Sequence, residues 1–182
     1  QSVPQGFFWV KTLARTERGE AHACEHLLLG KGAKGRAVAA LEEMTLSTSS
    51  AWTGQLSTAY HFHTLAGEEG FLRNLEARLD ALLHPDFSDE EIRREVAHVA
   101  VAEDPVTGRL TLEEKGTVFT EMMSSAEGPS YPLWTGIAEL LYGPGHVQAN
   151  NAGGLPEAMR TLTPAALRAF HAECYHPAGM GL

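Results

Sequence analysis

The stretch GEAHACEHLLLG, residues 19–30, constrains this chain more than any other. It is rich in Ala and Leu, so it reads as a helix. On a helix at 100° per residue, His26 lies about 40° round from His22 and Glu25 about 60° to the other side. One face then carries two imidazoles and a carboxylate. Two neutral imidazoles suit zinc, and a carboxylate that stays off the metal can take a proton from water. The order H-x-x-E-H is the inverted zinc-hydrolase arrangement. The same residues also fit an ordinary amphipathic helix whose apolar side is Ala23, Leu27 and Leu28. The triplet alone leaves both readings open.

A catalytic zinc site generally takes a third protein ligand and keeps one position open. The segment LTLEEKGTVFTEMM offers candidates in Glu114 and Glu121. Read as one helix, it places these two carboxylates two turns apart on nearly the same face, flanking the apolar Val118 and Phe119. One of them can bind metal while the other supports a ligand or the active-site water.

Four further stretches follow in order: LSTSSAWT from Leu46, KGTVFTEM from Lys115, GGLPEAM from Gly153 and FHAECYHP from Phe170. With H-x-x-E-H at the front, this series resembles the pitrilysin/insulinase family of zinc metallopeptidases, and the presequence-protease branch in particular. The resemblance spans residues 19 to 177, most of the chain. It implies that His22, His26 and Glu121 bind Zn²⁺, that Glu25 is the catalytic base, and that Glu114 is the supporting glutamate behind the ligands. It also implies that Ser50, Ala51, Trp52 and Thr53 form the strand along which an extended peptide substrate pairs. Ser50 departs from the family pattern, which usually has Asn there. The implied activity is zinc-dependent endopeptidase cleavage of unfolded peptides or short polypeptides, with zinc-bound water activated by Glu25.

Two rivals stand beside that reading. A non-catalytic structural partner subunit of the same family would not need all of His22, Glu25, His26 and Glu121. An S-ribosylhomocysteine lyase shares the inverted motif but takes a Cys as third ligand, and Cys174 lies in the C-terminal FHAECYHP segment instead. Cys24 reads as a small buried apolar group or as a thiol close to the metal, and in neither case as a nucleophile. His61 and His63 share a strand face, and neither they nor the remaining His residues are assigned a metal role.

Elsewhere the pattern predicts an α+β fold: a mixed, largely antiparallel sheet with helices packed on one face. Strands are expected at 7–13, 46–53 and 57–65, with another from Val96. Helices are expected at 20–29, 36–44, 67–83 and 131–142. A capping box at Ser88 and Glu91 opens one more helix, and Thr163-Pro164 opens the last. DPVTG from Asp104 turns the chain into the helix expected to carry Glu114 and Glu121. The 182 residues, 43% hydrophobic, suit a single domain with its own core. Gln1 stands where an initiator Met would, and the family is built from repeated halves, so residues 1–182 are expected to be one zinc-bearing domain of a longer protease that needs its remaining domains or a second half. A net charge of −9 argues against nucleic acid and anionic membranes as partners. No stretch approaches the 18 or more apolar residues of a membrane span. A soluble chain in the cytoplasm or an organelle matrix is expected, rather than a secreted one, since two cysteines make no disulfide framework.

Overall fold

The computed structural model describes residues 3–182. Strand β1 (Gln5–Lys11) leads through a loop to helix α1 (Glu20–Gly30) and helix α2 (Gly32–Met44). Strands β2 (Ser47–Thr53) and β3 (Ser57–Thr64) form a hairpin, followed by helices α3 (Gly67–Leu83) and α4 (Asp89–Val96). Strands β4 (His98–Glu103) and β5 (Leu110–Lys115) form a second hairpin. Helices α5 (Thr117–Ala126), α6 (Ser130–Tyr142), α7 (Pro156–Met159) and α8 (Pro164–Cys174) follow, and a short strand β6 (Met180–Gly181) closes the order.

The main sheet is antiparallel in the order β2-β3-β1-β6, with helices on one face. Strand periodicity explains the single covered face. Gly6, Phe8 and Val10 lie opposite Phe62, Tyr60 and Thr58, and all but Gly6 belong to the inner face as large or β-branched groups. Phe8, Val10, Phe62, Leu27, Ile92, Val118 and Leu167 meet there in one core cluster. Gly6 is required at its position, because a Cβ would strike the Phe62 ring. The alternate residues Phe7, Trp9 and Trp52 point to the other face and stay about half exposed. That open face also carries His61 and His63, which stack near Phe7 and each other as a polar and aromatic surface.

Sequence and structure part at the expected helix through Glu114. Residues 110–115 are strand β5, paired with β4 in the register Val99↔Glu114. Gly116 breaks the segment, with φ 146° and backbone so close to Val96 that no Cβ fits. Only Glu121 therefore lies on a helix. The spacing of seven residues was compatible with two turns, but a glycine in a conformation closed to other residues ended the strand and started α5 afresh. The hairpin β4–β5 is largely exposed, and α6 has no buried residue. No helix among the described residues is long and apolar enough to cross a membrane.

Candidate metal centre

Helix α1 is buried almost all round: Ala23, Cys24 and Leu27 have no exposure, and even Glu20, His22 and Glu25 are buried. A helix sunk this deeply must satisfy its polar side chains within the protein. Cys24 is one of the core groups, and burial pushes its thiol well above the ordinary range, which fits the small apolar reading and not a reactive one.

The imidazoles of His22 and His26 meet edge to face, with ring centroids 4.7 Å apart. Helix α5 brings Glu121 across from them. Glu121 Oε1 lies 3.6 Å from His22 Nε2, and Oε2 lies 3.3 Å from His26 Nε2. One ligand atom from each of the three residues lies within 4.8 Å of the others. No cysteine belongs to this cluster, unlike the ligand set of a lyase with the inverted motif.

The far nitrogen of each imidazole is held. His22 Nδ1 donates to the Gly153 carbonyl at 3.2 Å. A carbonyl only accepts, so Nδ1 carries a proton, and in the neutral ring the lone pair of Nε2 faces the cluster. His26 Nδ1 is 3.1 Å from Glu95 Oε1. Burial pushes Glu95 up, but hydrogen bonds from His26 and Lys31 and the Lys31 charge outweigh it and hold the carboxyl at about 2. The hydrogen bond to Glu95 in turn raises His26 above the ordinary imidazole value, against the effect of burial. Two imidazoles and a carboxylate with both far nitrogens anchored make a donor set that fits zinc.

Glu95 is the glutamate that reaches an imidazole of the cluster, whereas Glu114 pairs elsewhere. Glu114 Oε1 and Oε2 accept from Arg160 at 2.5 Å and 2.8 Å on the surface, and this pairing lowers its pKa. The signal for Glu95 was present in DEEIRREV: Ile92, Glu95 and Val96 follow the i, i+3, i+4 pattern of a buried stripe, and all three are buried. A glutamate in a core stripe calls for a partner.

The GGLPE segment works through its backbone. Gly19, at φ 71°, would place a Cβ 2.5 Å from the Gly153 carbonyl oxygen, so two backbones touch at the start of α1. Leu155 N–H bonds Glu17 O at 2.7 Å, and Asn151 N–H bonds the Glu17 carboxylate at 2.8 Å. These contacts aim the Gly153 carbonyl at His22.

Glu25 lies in the same cleft, of about 340 Å³, lined also by His22, Ala51, Trp52, Thr53, Glu121, Met122 and Gly153. Its Oε2 accepts from Thr53 Oγ1 at 2.5 Å. Strand β2 is at the edge of the sheet, with one side of its backbone free of any partner strand among the described residues. Of the four expected substrate-strand residues, Ala51, Trp52 and Thr53 line the cleft. Ser50, opposite His61 on the open face it shares with Trp52, is not among the lining residues.

The fold has counterparts among known proteins. No family model matches the chain. An uncharacterised protein of Saccharomyces cerevisiae is 33% identical over 93% of the chain, which covers 16% of that protein. A mitochondrial presequence protease of Gibberella zeae is 29% identical over 70% of the chain, or 12% of its own length. Among solved structures, a peptidase M16 inactive domain from Pseudomonas fluorescens superposes with a TM-score of 0.73 at 15% identity, covering 99% of this chain and 40% of that one. The chain has the fold of the pitrilysin-like M16 peptidase domains. It spans 12% to 16% of the length of the curated relatives it matches.

Proposed function

We propose that this M16 domain is the zinc-bearing part of an endopeptidase, in which His22, His26 and Glu121 hold the metal and Glu25 moves the proton. The observation that supports it most is the convergence of those three ligand atoms within 4.8 Å, beside a buried glutamate and a free strand edge. Bound zinc would supply a Lewis acid that polarises the peptide carbonyl and acidifies water. The rest falls to the chain. Gly153 and Glu95 orient the two imidazoles so that both Nε2 atoms face Glu121. Glu25 Oε1, the oxygen left free by Thr53, takes the proton of the attacking water and returns it to the leaving amine. The outer backbone edge of β2 pairs with an extended peptide, so Ala51, Trp52 and Thr53 set the register of cleavage. Extended pairing needs an unfolded or short polypeptide.

The same reading makes residues 1–182 one domain of a longer protease, with further domains or a second half closing over the peptide. The short share of its relatives that the chain spans supports this, as do the exposed Leu133, Trp134, Leu140 and Leu141 on α6. Cytoplasm or an organelle matrix is the compartment we assign, supported by two free cysteines and by the mitochondrial relatives. The likeness to an inactive domain favours a non-catalytic partner subunit as the second reading.

Metal analysis and peptide cleavage separate the two. Glu25→Gln in the complete protease should keep zinc and lose turnover by a factor of about 10² or more, while His26→Ala should lose the metal. Stoichiometric zinc in His26→Ala, or near-normal cleavage by Glu25→Gln, would overturn the assignment.

A further inference from the structure

We infer that Thr53 is a positioning residue for Glu25, holding one carboxylate oxygen from the sheet side so that the other faces the cleft. This rests on the reading of Glu25 as the proton-moving group. Thr53 Oγ1 donates to Glu25 Oε2 at 2.5 Å. An ionised carboxylate only accepts, and a hydroxyl has one hydrogen, so the Thr53 hydrogen is committed and its lone pairs are left over. They face Thr58 Oγ1 at 3.4 Å. Thr58 Oγ1 lies in turn 2.8 Å from Thr12 Oγ1, and neither Thr58 nor Thr12 has any exposure. Three threonines thus form a hydroxyl column running from the buried sheet to the base.

The column is rigid for local reasons. Threonine is β-branched and stiff at χ1. Thr53 ends β2 and lies opposite Thr58 in the register of the hairpin. Thr12 is tied to the same turn through its N–H, which bonds Leu56 O at 3.1 Å, and Gly54 N–H bonds Ser57 O at 2.9 Å. The orientation of the Glu25 carboxylate is therefore set by the sheet and not by its own helix. Thr53 also belongs to the strand edge offered to the peptide. The base and the peptide are both located from one residue, which keeps the attacking geometry the same along any sequence that pairs there.

The test uses the complete protease, zinc-loaded, with an unstructured peptide. Thr53→Val keeps the branched shape and removes the hydroxyl, and it should lower kcat by about 10–100-fold, as small displacements of a reacting group do. KM and zinc content should stay unchanged. Thr53→Ser, which restores the hydroxyl, should recover kcat, and if Thr53→Val does not fold, Thr53→Ala serves in its place. In the metal-free protein, Thr53→Val should lower the melting temperature in the wild-type background and have no such effect in Glu25→Leu, where the partner is gone. Wild-type kcat in Thr53→Val, equal impairment in Thr53→Ser, or equal melting shifts in both backgrounds would each overturn the role of Thr53 alone. Full activity in Glu25→Gln would instead overturn the reading of Glu25 beneath it.

Discussion

The β4–β5 hairpin lies in sequence between α4 and α5, which meet α1 in a buried seam, and hairpin and seam each contribute a glutamate that chemistry alone would not tell apart. Glu95 ends a buried stripe, its side chain 7% exposed, and serves His26 and Lys31. Glu114 lies on a strand, 44% exposed, and serves Arg160, whose guanidinium also sits 5.4 Å over the Phe119 ring. The first carboxylate orients a candidate metal ligand, and the second clasps a hairpin to its base. What surrounds a carboxylate decides its work more than its spacing along the chain.

The two regions should separate most widely in stability. Leu27 is wholly buried in the seam and Leu112 is 75% exposed on the hairpin. Leu27→Ala should cost about 2–5 kcal/mol, and Leu112→Ala should stay within about 0.5 kcal/mol, measured by denaturant unfolding. Equal losses would mean that the hairpin is as much a part of the core as the seam.

Zinc affinity sharpens the contrast between the glutamates. Glu95→Gln should weaken binding by about 10–100-fold in competition with a chelator, whereas Glu114→Gln should leave it unchanged. The reverse order would return the supporting role to Glu114.

Acid titration probes the seam again. Glu91 caps α4, and its hydrogen bonds from the Ser88 backbone, Arg36 and the Gly32 backbone hold it at about 2, below its usual 4.5. A depressed folded pKa gives stability that is fully present above the unfolded value and lost as pH falls through the folded one. Stability should therefore decline between about pH 4.5 and pH 2, and Glu91→Gln should flatten that decline. An unchanged acid limb would remove Glu91 from the account. The smallest effect is expected at Glu114→Gln, a slight fall in melting temperature that disappears in high salt, as for other exposed ion pairs.

Much of the fold was legible. Phe71, Leu75, Leu79 and Leu82 place a helix at 67–83, and α3 occupies those residues. Ser88 and Glu91 form both halves of the capping box, and Thr163 accepts from the Ala166 N–H ahead of α8. Periodicity and capping are local, so local sequence carries them. Helix α2 begins at Gly32, earlier than its expected start at 36, because glycines in its first turns mask a helix that packs closely against Gly30. The site divides along the same line. His22, Glu25 and His26 share one turn, and their grouping follows from helix geometry. Glu121 joins them in space, but the residues that orient the imidazoles, Glu95 and Gly153, come from distant segments and act through burial and a main-chain carbonyl, which no residue-type pattern advertises. Glu114 misled because a seven-residue interval means two turns only if nothing interrupts it, and Gly116 does.

The carbonyl that steadies His22 belongs to a residue 131 positions further along the chain. As the polypeptide leaves the ribosome, both imidazoles, the base and Glu121 all emerge before Gly153 does. A nascent domain can therefore pair β1, β2 and β3 and bring three candidate ligands together while one imidazole is still free to turn. Completion of the candidate centre waits on the 151–155 loop, and a chain interrupted ahead of it would carry every candidate ligand without the brace that aims the first of them.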